Sequence, residues 1–199
     1  MPILENQPNK AFERFESHMV GMVSEVLELP RGTVLTLKWR GDAGTLGFTR
    51  GGVVTSVPLE TRIGPLHLHL AQDLVAIPEG LRYRLRTQRY AYKLFPSGDP
   101  RADAIIRWEF DADTPEGKEC RNHLHLNVAH PGPLGRIDFN RLHVPTAWVL
   151  IEHVLRFLFH DLEVGARTTN WPAVLRASET DFYEKFSGKR YRWRSRTEP

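Results

Sequence analysis

The chain of 199 residues holds a single cysteine, Cys120. That excludes an intrachain disulfide and a four-cysteine zinc site, and it fits a reducing compartment. Long apolar runs are also missing. The most apolar stretch, TAWVLIEHVLRFLF at 146–159, carries Glu152, His153 and Arg156, and is too short and too charged to span a bilayer. The opening MPILENQPNK lacks the basic-then-apolar layout of a secretion signal, so a cytoplasmic protein with no membrane partner is expected. Phosphate-loop chemistry is absent as well. GDAGTLG at 41–47 lacks the Lys-Ser/Thr ending, and SGKR at 187–190 lacks the preceding glycine spacing. No serine or cysteine stands in a nucleophile context, and RGG at 50–52 reads as a hairpin turn.

What is present fits a globular domain: 41% of residues are hydrophobic and 26% charged. The length suits one domain with a core of its own. The net charge of +3 is modest, but the basic residues cluster. Arg82, Arg84, Arg86, Arg89 and Lys93 form one group, and Lys189, Arg190, Arg192, Arg194 and Arg196 form another. Such groups attract a polyanion through local field and counterion release; the plainer alternative is solvated surface.

The apolar period changes twice along the chain. Phe12, Phe15, Met19, Met22, Val23 and Val26 stand at helical spacing within 9–28, with Asn9 as a cap and Pro30-Arg31-Gly32 as a stop. Short β-rich runs follow, among them TVLTLKW, TLGF, VVTSV, RIGPLHLHL, DLVAI, LRYRLRT, RYAYKLF, AIIRWEFD and NHLHLNV, divided by turn residues. From Val144 the period is helical again, with Pro145 in the first turn and Glu152, Arg156 and His160 as a narrow polar stripe. The spacing predicts an ion pair between Glu152 and Arg156. A last helix is expected over Trp171 to Phe186. The class is α+β: an antiparallel β-meander sheet with helices packed on one face. A single domain over 1–199 would comprise a helix at 9–28, the sheet at about 33–128, helices within 145–186 and a basic tail at 187–199.

Successive side chains of a strand face opposite ways. In 105–111, Ile106, Trp108 and Phe110 therefore oppose Arg107, Glu109 and Asp111. In 122–128, Leu124, Leu126 and Val128 oppose His123, His125 and Asn127. Tyr90, Tyr92 and Leu94 oppose Arg89 and Lys93, while Leu81, Tyr83 and Leu85 oppose Arg82, Arg84 and Arg86. Leu66, Leu68 and Leu70 oppose His67 and His69. If the apolar faces turn together toward the helices, the other face gathers arginines, a glutamate and histidines. Tyr90, Tyr92 and Trp108 are then core rather than base-stacking platforms.

Histidine takes and gives protons near neutral pH. Two imidazoles beside a guanidinium can cleave RNA without a metal cofactor: His123 and His125 as acid and base, Arg107 gripping phosphate, Glu109 orienting a histidine. Arg89, Lys93, Arg82, Arg84 and Arg86 would hold the nucleic-acid backbone. In a second reading, His123 and His125, about 6–7 Å apart along a strand, share a metal ion with Glu109 in a hydrolytic site. A third is a non-catalytic module whose basic face binds nucleic acid or an acidic protein. The plainest is a half-exposed polar strand. His18, His143, His153 and His160 read as surface or helix-packing residues, and His130 as a loop residue.

The order RYAYKLF (89–95), IIRWEFD (105–111) and NHLHL (122–126), followed by a proline-started apolar helix, resembles the TumE-like toxins of prokaryotic toxin–antitoxin systems. The likeness covers about residues 59–160. Arg107, Trp108 and Glu109 match the family's Arg-Tyr-Asp positions, and His123 and His125 match its downstream histidines. Glutamate replaces aspartate, and DADTPEGKEC stands where the family carries a histidine pair. The resemblance implies a growth-inhibiting, nucleic-acid-directed protein held by a cognate antitoxin.

Overall fold

A computed structural model describes residues 5–99, 102–115, 121–127, 129–132, 135–138 and 144–186. Cys120, His143 and the basic tail lie outside them, as do the side chains of Val128 and His130. Helix α1, Pro8–Val26, opens with a proline whose fixed φ suits the first turn. It buries the whole predicted stripe from Phe12 to Val26. Glu16 Oε1 accepts the backbone N–H of Leu37 at 2.8 Å, tying the helix to the first strand.

The strands are β1 (Thr33–Arg40), β2 (Ala43–Arg50), β3 (Val53–Val54), β4 (Val57–Thr61), β5 (Gly64–Glu79), β6 (Arg82–Phe95), β7 (Ile106–Asp111) and β8 (Asn122–Leu126). Beyond them come β9 (Ala129–Gly132), β10 (Gly135–Asp138) and β11 (Val144–Pro145). The main sheet has the order β1-β2-β5-β6-β7-β8-β11, with β3 on β2 and β4 on β5; β9 and β10 pair separately. Every pairing is antiparallel. The fold is α+β, with the helices on one side of the sheet.

β5 and β6 are each one long strand where the sequence pattern suggested two. In β6 the apparent break is a bulge. Asp73 pairs with Arg89 and Leu74 with Thr87, so Gln88 is the extra residue. The insertion shifts the phase by one, which puts Arg82, Arg84 and Arg86 on the same face as Arg89 and Lys93. Leu81 departs from the expected apolar set: it is 96% exposed in the β5–β6 turn, beside Gly80 at φ 64°. Where β2 meets β5, Gly47 lets the backbones close; a Cβ there would stand 2.8 Å from the Leu70 carbonyl oxygen.

Helix α2 spans Ile151–His160 and does not begin at Val144. Val144 and Pro145 pair with Leu124 and His123 as an edge strand, where a missing N–H is tolerated. The link that follows packs Trp148 on Phe110, ring centroids 4.5 Å apart, and Val149 N–H donates to Tyr90 Oη at 3.0 Å. Helix α3, Trp171–Asp181, continues into a π-helical turn at Phe182–Phe186.

The expected Glu152–Arg156 pair does not form. Glu152 is 1% exposed and accepts a hydrogen bond from Ser178 Oγ at 2.6 Å, and His18 Nε2 lies 3.0 Å from the same hydroxyl. Arg156 instead donates to Glu179 Oε2 at 3.0 Å, and His153 Nε2 meets Glu179 Oε1 at 2.9 Å. Helix α3 supplies nearer, drier partners than the next turn of α2.

Burial holds the Glu152 carboxyl above the ordinary glutamate range, against the opposing hydrogen bond from Ser178. As pH rises through the window above the ordinary range, the unfolded chain releases this proton while the folded chain keeps it. Stability contributed here is therefore lost with rising pH. Glu152→Gln leaves an acceptor for Ser178 and removes the charge. It is expected to raise stability at neutral pH and flatten that fall, as checked by urea midpoints from about pH 4 to about pH 8. A variant less stable than the parent at neutral pH contradicts the account.

Candidate functional site

The outer face of β6, β7 and β8 is set by alternation and register. Lys93 pairs with Arg107 and Arg107 with His125; one step along, Ala91 pairs with Glu109 and Glu109 with His123. Residues directly opposite one another in a sheet share a face, so a single patch collects them. The inner face of the same strands buries Tyr90, Tyr92 and Leu94, and Trp108 packs edge-on to Phe157 at 5.6 Å. Apolar burial thus fixes which way the imidazoles point.

Glu109 is the hub. Its Oε2 lies 3.5 Å from His123 Nε2, 3.4 Å from His125 Nε2 and 3.2 Å from Arg107 Nε. Lys93 Nζ stands 4.0 Å from Oε1. The imidazoles meet edge to face with centroids 4.6 Å apart. His125 is 8% exposed, while Glu109 and Arg107 reach solvent in a concavity of about 470 Å³ that also includes Arg89, Asp111 and Thr114.

The Glu109–imidazole spacings exceed the 2.9 Å of the His153–Glu179 hydrogen bond. They match a different geometry. Ligand atoms at zinc distances of 2.0–2.1 Å in a tetrahedron stand about 3.3–3.4 Å from one another. One donor atom from each of Glu109, His123 and His125 lies within 4.8 Å of the other two, so the three can hold one ion. Arg107 would then act as a partner to the ligating carboxylate.

The other predicted basic residues are placed differently. Arg89 forks onto Asp73 Oδ2 through Nε at 2.9 Å and Nη2 at 2.7 Å, at the rim of the concavity. Arg84 Nε lies 3.0 Å from Glu79 Oε2, and Arg86 donates to Gln88 at 3.1 Å. Arg82 is exposed at the start of β6. These last three sit beyond the bulge, about 20–33 Å along the strand from Lys93. They belong to a separate basic stretch and do not reach the histidines.

Sequence reasoning overlooked a second recess of about 240 Å³, beside Lys93 and lined by His69, Phe95 and the 54–56 and 97–99 segments. A signal was available, since Phe95 continues the Arg89-Ala91-Lys93 phase onto the outer face. His69 is held below the usual histidine range by burial, with Lys93 adding to the effect.

Among the described residues, no helix is long and apolar enough to cross a membrane. Comparison with protein-family models, curated proteins and solved structures finds no match to this chain.

Proposed function

We propose that the protein is a nuclease acting on RNA, with the Glu109–His123–His125 cluster as its reacting centre. The observation that carries this reading is the convergence of both Nε2 atoms on one carboxylate oxygen beside Arg107. Arg107 and Lys93 both face the Glu109 carboxylate, and Arg89 and Asp111 line the same concavity, so cations outnumber carboxylates by one and favour an anion when the imidazoles are neutral. In phosphodiester cleavage an oxygen nucleophile attacks phosphorus, the bond to the leaving oxygen breaks, and a proton passes from nucleophile to leaving group. Arg107 suits the phosphoryl oxygens because its fork binds two at once.

Attack and departure occur on opposite sides of phosphorus. Both imidazoles address the same point, so they serve one side of the reaction. The spacing favours a metal-assisted form in which Glu109, His123 and His125 hold a divalent ion. Such an ion supplies Lewis acidity and an activated water. The metal-free reading is favoured by a different observation: Arg107 and Lys93 already stand where charge must be steadied. The resemblance to TumE-like toxins adds growth inhibition and a cognate antitoxin to either form.

The test is end-labelled single-stranded RNA incubated with the purified chain, alone, with EDTA, and with zinc or manganese restored. Cleavage stopped by EDTA and recovered with metal supports the metal-assisted form, and cleavage indifferent to EDTA supports the metal-free one. Binding without cleavage, weakening steeply with salt, overturns the nuclease in favour of a binding module.

A further inference from the structure

We infer that the recess beside Lys93 is a subsite for one unpaired nucleobase, adjacent to the phosphate held at Glu109, His123 and His125. This rests on the nuclease reading and names its substrate class: single-stranded nucleic acid, engaged by phosphate and base together.

Register supplies the first argument. His69 pairs with Lys93, Lys93 with Arg107 and Arg107 with His125, so one row crosses four strands on the outer face. At the usual strand spacing, Lys93 stands about 10 Å from His125 and His69 about 14 Å from it. A nucleotide whose phosphate meets the histidines can therefore extend its sugar past Lys93 and its base toward His69.

Size and chemistry supply the second. The recess, about 240 Å³, accepts one flat heteroaromatic ring and excludes a base pair. His69 and Phe95 form an aromatic corner, centroids 6.4 Å apart and rings at 76°. Val54, 62% exposed, adds apolar surface to the same lining. Ser56, Ser97 and Asp99 add hydrogen-bonding groups for a base edge. With its pKa lowered by burial, His69 presents an uncharged ring near neutral pH. Gly98, also in the lining, approaches β5 closely: a Cβ on it would stand 3.1 Å from His67 Cε1. An apolar, ring-lined slot edged with donors and acceptors is the usual means of holding a splayed base.

The test uses short 2′-O-methyl RNA, which resists cleavage through the 2′-oxygen, and measures affinity by fluorescence anisotropy with EDTA present. Intact oligonucleotides are compared with versions carrying one abasic position, moved stepwise along the strand. One position is expected to weaken binding about tenfold when its base is removed. In His69→Ala, and in Val54→Ser at an exposed site where folding is not at stake, that difference should shrink toward onefold. Duplex RNA of the same sequence should bind more weakly than the single strand. Equal affinity for intact and abasic strands at every position overturns the subsite, while the cleavage assay still judges the nuclease. No binding of any oligonucleotide, either with EDTA or with zinc or manganese restored, overturns both.

Discussion

Glu109→Gln is expected to slow RNA cleavage by about 10²–10⁴-fold while leaving the fold intact. The carboxylate is where Arg107, His123, His125 and Lys93 all meet, at 3.2–4.0 Å. Glutamine preserves shape but removes the charge that balances two cations. It also turns one acceptor into a donor that competes with the imidazoles. If the cluster holds a metal, a neutral amide is a poor replacement for an anionic ligand. If the chemistry is metal-free, the imidazoles lose the group that orients them. Both forms therefore predict a large loss. His125→Ala is expected to fall in the same range, because its Nε2 shares the hub and its ring is buried. Arg107→Lys should lose less, since charge survives while the planar fork does not. Single-turnover rates on end-labelled RNA, beside urea midpoints for each variant, check the series. A Glu109→Gln rate within threefold of the parent would remove the cluster from the chemistry.

Tyr92→Ala is expected to cost about 3–5 kcal/mol of folding stability. Tyr92 is 1% exposed and stacks on Tyr90 with centroids 4.7 Å apart and an interplanar angle of 5°. Its hydroxyl donates to Gln72 Oε1 at 3.2 Å, and Gln72 Nε2 donates onward to Thr87 Oγ1 at 2.9 Å. Burial pushes the phenol well above its usual value, so it remains a neutral donor at physiological pH. Truncation opens a cavity in the middle of β6 and also strands a buried amide oxygen. Tyr92→Phe isolates the second effect and should cost about 1–3 kcal/mol. Urea midpoints at unchanged slope are the measurement. Equal losses in the two variants would mean that ring packing contributes nothing here.

Alternation made most of the site's outer face legible. In NHLHL the leucines and histidines separate cleanly, and in IIRWEFD Trp108 and Phe110 force Arg107 and Glu109 outward. Those phases required only a period of two and one buried side. Two strand breaks were misread because local sequence does not distinguish a bulge at Gln88, or a smooth run through Leu70 to Leu74, from a turn. Pro145 was ambiguous for a related reason: its fixed φ suits a helix start, and its missing N–H equally suits a sheet edge. The Glu152–Arg156 expectation failed because spacing within one helix carries no information about Glu179 on another. The convergence at Glu109 was legible only as a possibility. Register across β7 and β8, together with side-chain reach, decides it, and neither is written in one strand.

The extra residue at position 88 gives β6 one place where chain length can change without altering which way the flanking side chains point. Loss of that one codon would join Thr87 directly to Arg89 opposite Leu74 and Asp73, which are already consecutive, so the ladder straightens and Tyr90, Tyr92 and Leu94 stay in the oily interior. A one-codon loss well away from it has no such slack and would exchange the two faces on one side of the cut. Indel tolerance along this strand should therefore peak at this codon.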